Sequence, residues 1–119
     1  MSEDEKLLAL LQRIYDKTLQ GELRWEPTAN GRAFVVAFAR FSLSLERLYE
    51  VSEDSNHILL RISNDQGQTI EELTEGKAVQ IGFRNMNNLY ERSRRIAMGF
   101  DEALDELLIE LGDSASRKP

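Results

Sequence analysis

The hydrophobic period of this chain changes twice, and that double change restricts the fold more than any other feature. Leu7, Leu10, Leu11, Ile14 and Thr18, flanked by Leu8, Tyr15 and Leu19, recur at helical spacing. Between about residues 32 and 73 the apolar positions alternate instead, as in Phe41-Ser-Leu-Ser-Leu45 and in Ile58, Leu60 and Ile62. From Phe83 onward helical spacing returns. A period of 3.6 residues puts side chains on one stripe of a helix, and a period of two puts them on one face of a strand. Consecutive strands joined by short turns pair antiparallel. The expected class is therefore α+β: an N-terminal helix, an antiparallel β-meander of about five strands, and two C-terminal helices packed on one sheet face.

Punctuation sharpens this reading. Ser2-Glu-Asp-Glu5 has capping-box spacing and Gly21 offers a left-handed stop, which predicts a first helix of about five turns. Leu23 and Trp25 alternate with Glu22, Arg24 and Glu26, predicting a short strand ended by Pro27. Asn30-Gly31 marks a turn. The run AFVVAFARFSLSLERL is too long for one ordinary strand of about five or six residues. A turn at Ala39-Arg40 resolves it into a hairpin of about 32–38 and 41–48, with Phe38 and Phe41 flanking the turn and Phe41, Leu43 and Leu45 facing the core. Residues 52–56 read as a polar loop, and Asn64 to Gly67 as a hairpin turn with a glycine bulge before a strand at Thr69–Leu73. Phe83, Met86, Leu89 or Tyr90, Ser93 and Ala97 line a helix stopped by Gly99. Asp101 then caps a final helix with Leu104, Leu107, Leu108 and Leu111 inside. Residues 1–112 are expected to form a single domain, and 113–119 a disordered tail.

Composition excludes whole classes of chemistry. The chain has 119 residues and no cysteine, so disulfides, thiolate zinc sites and thiol nucleophiles are ruled out. His57 is the only histidine. It follows Asp54 and Ser55, but no nucleophile-elbow motif accompanies it, and an ordinary histidine at the start of a strand is the simpler reading. Glu53, Asp54 and His57 match neither a calcium loop nor a di-iron pair. Glu71 and Glu72 point to opposite faces of a strand. No glycine-rich phosphate loop follows a strand. No catalytic residue, metal or cofactor is expected. The N-terminus begins acidic, without a signal-peptide pattern, and the apolar runs fall far short of about 18 residues, so a cytoplasmic protein that does not enter a membrane is expected.

Charge is the feature that bears on function. The net charge is −6, yet residues 77–100 carry five bases and one acid, whereas 21–76 carry ten acids and five bases and 101–119 six acids and two bases. Arg84, Asn88, Arg92 and Arg95 fall at spacings of four, four and three, which predicts one stripe on the face away from Phe83, Met86 and Tyr90. Such a stripe suits an acidic protein partner, or a phosphate backbone. It also suits pairing inside the chain, with Glu91 or with Asp101, Glu102, Asp105 and Glu106 of the next helix. Nucleic acid is disfavoured by the overall charge and by the acidic final helix. Trp25 reads first as a core anchor, and otherwise as an exposed partner-binding or stacking residue. A further candidate surface is the outer face of the first helix, where Arg13 and Lys17 lie one turn apart. These features favour a non-catalytic protein-interaction module of adaptor or regulatory type, with a protein partner or a homodimer. The alternatives are a small carboxylate-dependent hydrolase or transferase, and weak nucleic-acid binding through residues 84–95.

At Gly21-x-Leu23-x-Trp25 and at LYERSRRIAMGFDEALDELLIEL the chain resembles small uncharacterised bacterial proteins that couple a short N-terminal helix, a strand meander and a C-terminal helix pair. The resemblance implies a bacterial cytoplasmic source. It implies no activity and carries over no functional residues.

Overall fold

The capping box forms as its spacing predicts. In the computed structural model, which describes residues 1–49 and 56–112, Ser2 Oγ accepts the Glu5 N–H at 3.1 Å and Glu5 Oε1 accepts the Ser2 N–H at 2.8 Å. The bond from the Ser2 backbone, and then that with its hydroxyl, holds the Glu5 carboxyl below the usual glutamate range. Helix α1 runs from Glu3 to Leu19 and buries Leu11, Ile14 and Thr18. Gly21, at φ 73°, ends it in the left-handed conformation that glycine adopts without steric cost.

Five antiparallel strands follow in spatial order of sequence: β1 (Glu26–Pro27), β2 (Ala33–Ala37), β3 (Phe41–Tyr49), β4 (Asn56–Asn64) and β5 (Thr69–Thr74). The register aligns Phe34, Leu45, Leu60 and Leu73 in one row across four strands, and all four are buried. Each such side chain contributes about 1.5–3 kcal/mol on leaving water. The opposite face is polar. There Arg61 donates from Nη1 to Glu46 Oε1 at 2.9 Å and from Nε to Glu72 Oε2 at 2.8 Å, and these bonds, that to Glu72 first, raise its pKa further above an already high value. Glu71 and Glu72 do point to opposite faces, since Glu71 pairs with Ile62 on the core side. The expected glycine turn forms, with Gly67 at φ 79° and its N–H bonded to the Asn64 carbonyl at 3.1 Å.

After the sheet come α2 (Glu75–Gln80), α3 (Met86–Ala97) and α4 (Phe100–Leu107), the last continuing into a π-helical turn, Leu108–Gly112. The fold is α+β, as expected. The core lies between one sheet face and the helices, where Phe83, Met86, Leu89, Tyr90 and Ser93 of the predicted stripe are all buried.

Several local expectations are corrected. Leu23 to Trp25 are not strand: only Glu26 and Pro27 pair with β2, because the Trp25 side chain is tied back to the last turn of α1. Proline is tolerated there because β1 is an edge strand with one neighbour. The short helix α2, capped by Thr74 Oγ1 accepting the Lys77 N–H at 3.1 Å, was not foreseen. Helix α3 starts at Met86, so Phe83 and Arg84 precede it. Gly82, at φ 111°, breaks the chain between α2 and α3, with Leu8 packed where its side chain would begin. Finally, Leu104, Leu107, Leu108 and Leu111 are exposed, and α4 packs mainly on α3 instead of the sheet. The helix is preceded by Gly99 at φ 68°, not capped by Asp101. The expected tail at 113–119 and residues 52–55 of the expected loop lie outside the described residues. Asn56 already belongs to β4.

Candidate functional site

The predicted basic stripe is divided. Asn88, Arg92 and Arg95 are exposed on α3, but Arg84 lies in the connection before it. Arg84 lines a groove of about 310 Å³ with Gln12, Tyr15, Asp16, Gly82, Phe83 and Asn85. Arg92 and Arg95 line a different groove of about 450 Å³, between the C-terminal end of α1 (Thr18, Leu19, Gly21) and the first turn of α4 (Phe100, Asp101, Glu102). Among the described residues no ion pair involves Arg84, Arg92 or Arg95. Arg95 instead lies over the Phe100 ring, 5.2 Å from its centroid. Glu91 bonds Arg94 at 3.0 Å, as its spacing allowed, and also Arg47 at 3.3 Å.

Trp25 is a core residue. Its side chain is 2% exposed, and Nε1 donates to Thr18 Oγ1 at 3.0 Å, satisfying the one polar atom the indole carries into the interior. The indole offers no surface to a partner in this conformation, which corrects its assignment as a partner-binding residue. The bond also explains the local chain path, since Trp25 follows Thr18 by seven residues and pulls the linker onto α1.

A cluster that spacing did not reveal joins β3 to α3. The Arg47 guanidinium lies 4.6 Å from the Tyr90 ring centroid and donates to Asn87 Oδ1 at 2.7 Å as well as to Glu91. Tyr90 donates its hydroxyl to the Arg32 carbonyl at 2.8 Å, and burial raises its pKa. These partners are 40 or more residues apart in sequence, so no local pattern announces them. They anchor α3 to the sheet, although Arg47 Nε is buried there with no hydrogen-bond partner among the described residues.

Two apolar surfaces remain open. The first is a cavity of about 480 Å³ lined by Leu10, Ile14, Leu23, Phe38, Phe41, Leu43 and Ile62, with Arg13 and Lys17 at its edge. Phe41 shares the strand face of Leu43 and Leu45, as expected, yet sits at the hairpin end, where no helix covers it. The second is the outer face of α4 and its π-helical turn, where Leu104, Leu107, Leu108 and Leu111 are 40–69% exposed. The signals for both were in the chain: two phenylalanines flanking a turn, two cations one turn apart on α1, and a leucine stripe.

Neither surface assembles acid–base or nucleophilic chemistry. Among the described residues no carboxylate lines the apolar cavity. Asp101 and Glu102 do line the groove beside α3, but both are exposed and adjacent on a helix, so their side chains diverge by about 100°. Among the described residues no three histidine, aspartate or glutamate side chains are placed to hold a metal ion, and no helix is long and apolar enough to cross a membrane. His57 pairs with Leu48 in the β3–β4 ladder, while Glu53, Asp54 and Ser55 lie outside the described residues. No protein-family model, curated protein or solved structure matches this chain.

Proposed function

We propose that this protein is a non-catalytic protein-interaction module of adaptor or regulatory type, and that its contact surface is the leucine face of α4 and the π-helical turn. The observation that carries this reading is the exposure of Leu104, Leu107, Leu108 and Leu111 on one side of a helix whose other residues are largely acidic. A contiguous apolar stripe rimmed by charge is the usual mark of a partner site, because its burial on association is favourable and its exposure in a monomer is not. The basic face of α3 supports the reading less strongly: Arg92 and Arg95 share their groove with Asp101 and Glu102, which offsets their attraction for an acidic partner.

The test compares wild type with Leu107→Glu/Leu111→Glu and with Arg92→Glu/Arg95→Glu in light scattering and in capture from cell lysate followed by mass spectrometry. Association lost in the leucine variant and retained in the arginine variant is the expected result. A wild-type protein that associates with nothing, itself included, would overturn the proposal. The reverse pattern would move the contact surface to α3.

A further inference from the structure

We infer that the partner of the α4 leucine face is a second copy of this chain, each copy docking its α4 into the apolar cavity between α1 and the β2–β3 hairpin of the other. This rests on the interaction reading above and names its occupant. The first argument is charge. Residues 100–112 carry five acids, Asp101, Glu102, Asp105, Glu106 and Glu110, and no base. Two such helices packed face to face would bring ten carboxylates together. The cavity is the opposite case, because among the described residues its only charged lining is Arg13 and Lys17. Lys17 also holds Glu22 at 2.8 Å, and Arg13 is exposed. Acidic helix and basic-rimmed groove are thus complementary in charge as well as in apolar surface.

The second argument is dimension. Leu104 to Leu111 spans seven residues, about 10 Å at a rise of 1.5 Å per residue. Leu10 to Lys17, the part of α1 that walls the cavity, spans the same length. The leucine stripe therefore meets a wall of matching extent. The third is connectivity. Gly99 turns the chain by a left-handed residue so that α4 packs mainly on α3, and no residue of α3 or α4 lines the cavity of its own copy. Reciprocal docking is isologous, so a two-fold axis repeats the contact and closes the assembly.

Sedimentation of the full-length chain over a range of concentrations, with two variants, tests this. Leu107→Glu/Leu111→Glu disables the helix, and Arg13→Glu/Phe41→Glu disables the cavity. All four positions are exposed, and Trp25 emission reports that each variant is folded. Wild type is expected to dimerise as concentration rises and each variant alone to stay monomeric. An equimolar mixture of the two variants should recover a weaker dimer, because one helix and one cavity remain intact. A cavity variant that dimerises like wild type would mean that α4 pairs with α4, and would overturn the inference. So would a monomeric wild type that captures other proteins through α4, although that result would leave the interaction module standing. A monomeric wild type that captures nothing would remove both.

Discussion

Helices α1 and α4 carry apolar residues at the same helical spacing, yet Leu11 and Ile14 are buried while Leu104, Leu107, Leu108 and Leu111 face solvent. The difference lies in the surface each can reach. Five strands about 4.8 Å apart make a sheet roughly 20 Å wide, and helices about 10 Å across cover that width in pairs. Helices α1 and α3 take the space: α1 packs on α3, α3 lies along the sheet, and α2 fills the side next to β4 and β5. When α4 follows, the sheet surface beside α3 is already covered, and α4 does not reach the open hairpin end at Phe38 and Phe41. An amphipathic stripe states that a helix will bury one side, and not which surface will bury it.

The largest test of this contrast is Trp25, which joins α1 to the sheet. Trp25→Ala should lower the unfolding free energy by about 3–5 kcal/mol, measured by urea unfolding followed by circular dichroism. The same side chain should give the wild type a blue-shifted emission resistant to iodide. A water-like maximum would place the indole outside the core and undo the assignment.

Next, matched truncations compare the two helices directly. Leu11→Ala should cost about 2–5 kcal/mol, whereas Leu107→Ala, in solution dilute enough to keep the chain monomeric, should stay within about 0.5 kcal/mol of wild type. Equal losses at the two positions would mean that α4 is packed within its own chain. Thr18→Val comes third: it keeps the shape of the side chain but leaves the buried indole N–H without its acceptor, at about 1–3 kcal/mol.

The smallest effect should come from Glu5→Gln at the exposed start of α1. Because the bonds to Ser2 lower the Glu5 pKa in the folded state, their contribution is present above the ordinary glutamate range and fades as pH falls through the depressed value. The thermal midpoints of wild type and Glu5→Gln should therefore differ at neutral pH and converge in acid. A difference that persists unchanged in acid would show that the charge of Glu5 takes no part in the cap.

Much of the architecture was legible before any coordinates. The capping box at Ser2 and Glu5, the hairpin turn after Phe38, the glycine turn at Gly67 and the buried stripe Phe83, Met86, Leu89, Tyr90 and Ser93 all follow from neighbours within one helical turn or one strand. The candidate site was legible only in pieces. Arg13 and Lys17, Phe38 and Phe41, and the α4 leucines each stood out, but nothing local says that the first four border one cavity or that the leucines stay outside. The basic stripe misled in part, since a spacing rule assumes a continuous helix and Gly82 shifts the helix start past Arg84.

The order of elements apart from α2, the antiparallel meander, and the absence of cysteine chemistry belong to the sequence alone, because periodicity, capping and residue type are local properties. Three things were decided only by the tertiary structure. Trp25 became a core residue through its bond to Thr18, Arg47 was drawn to Tyr90 and Glu91 across more than 40 residues, and α4 was left standing off the sheet. Each depends on which elements compete for a finite sheet face. That competition is settled by the whole chain at once, so no window of the sequence contains it.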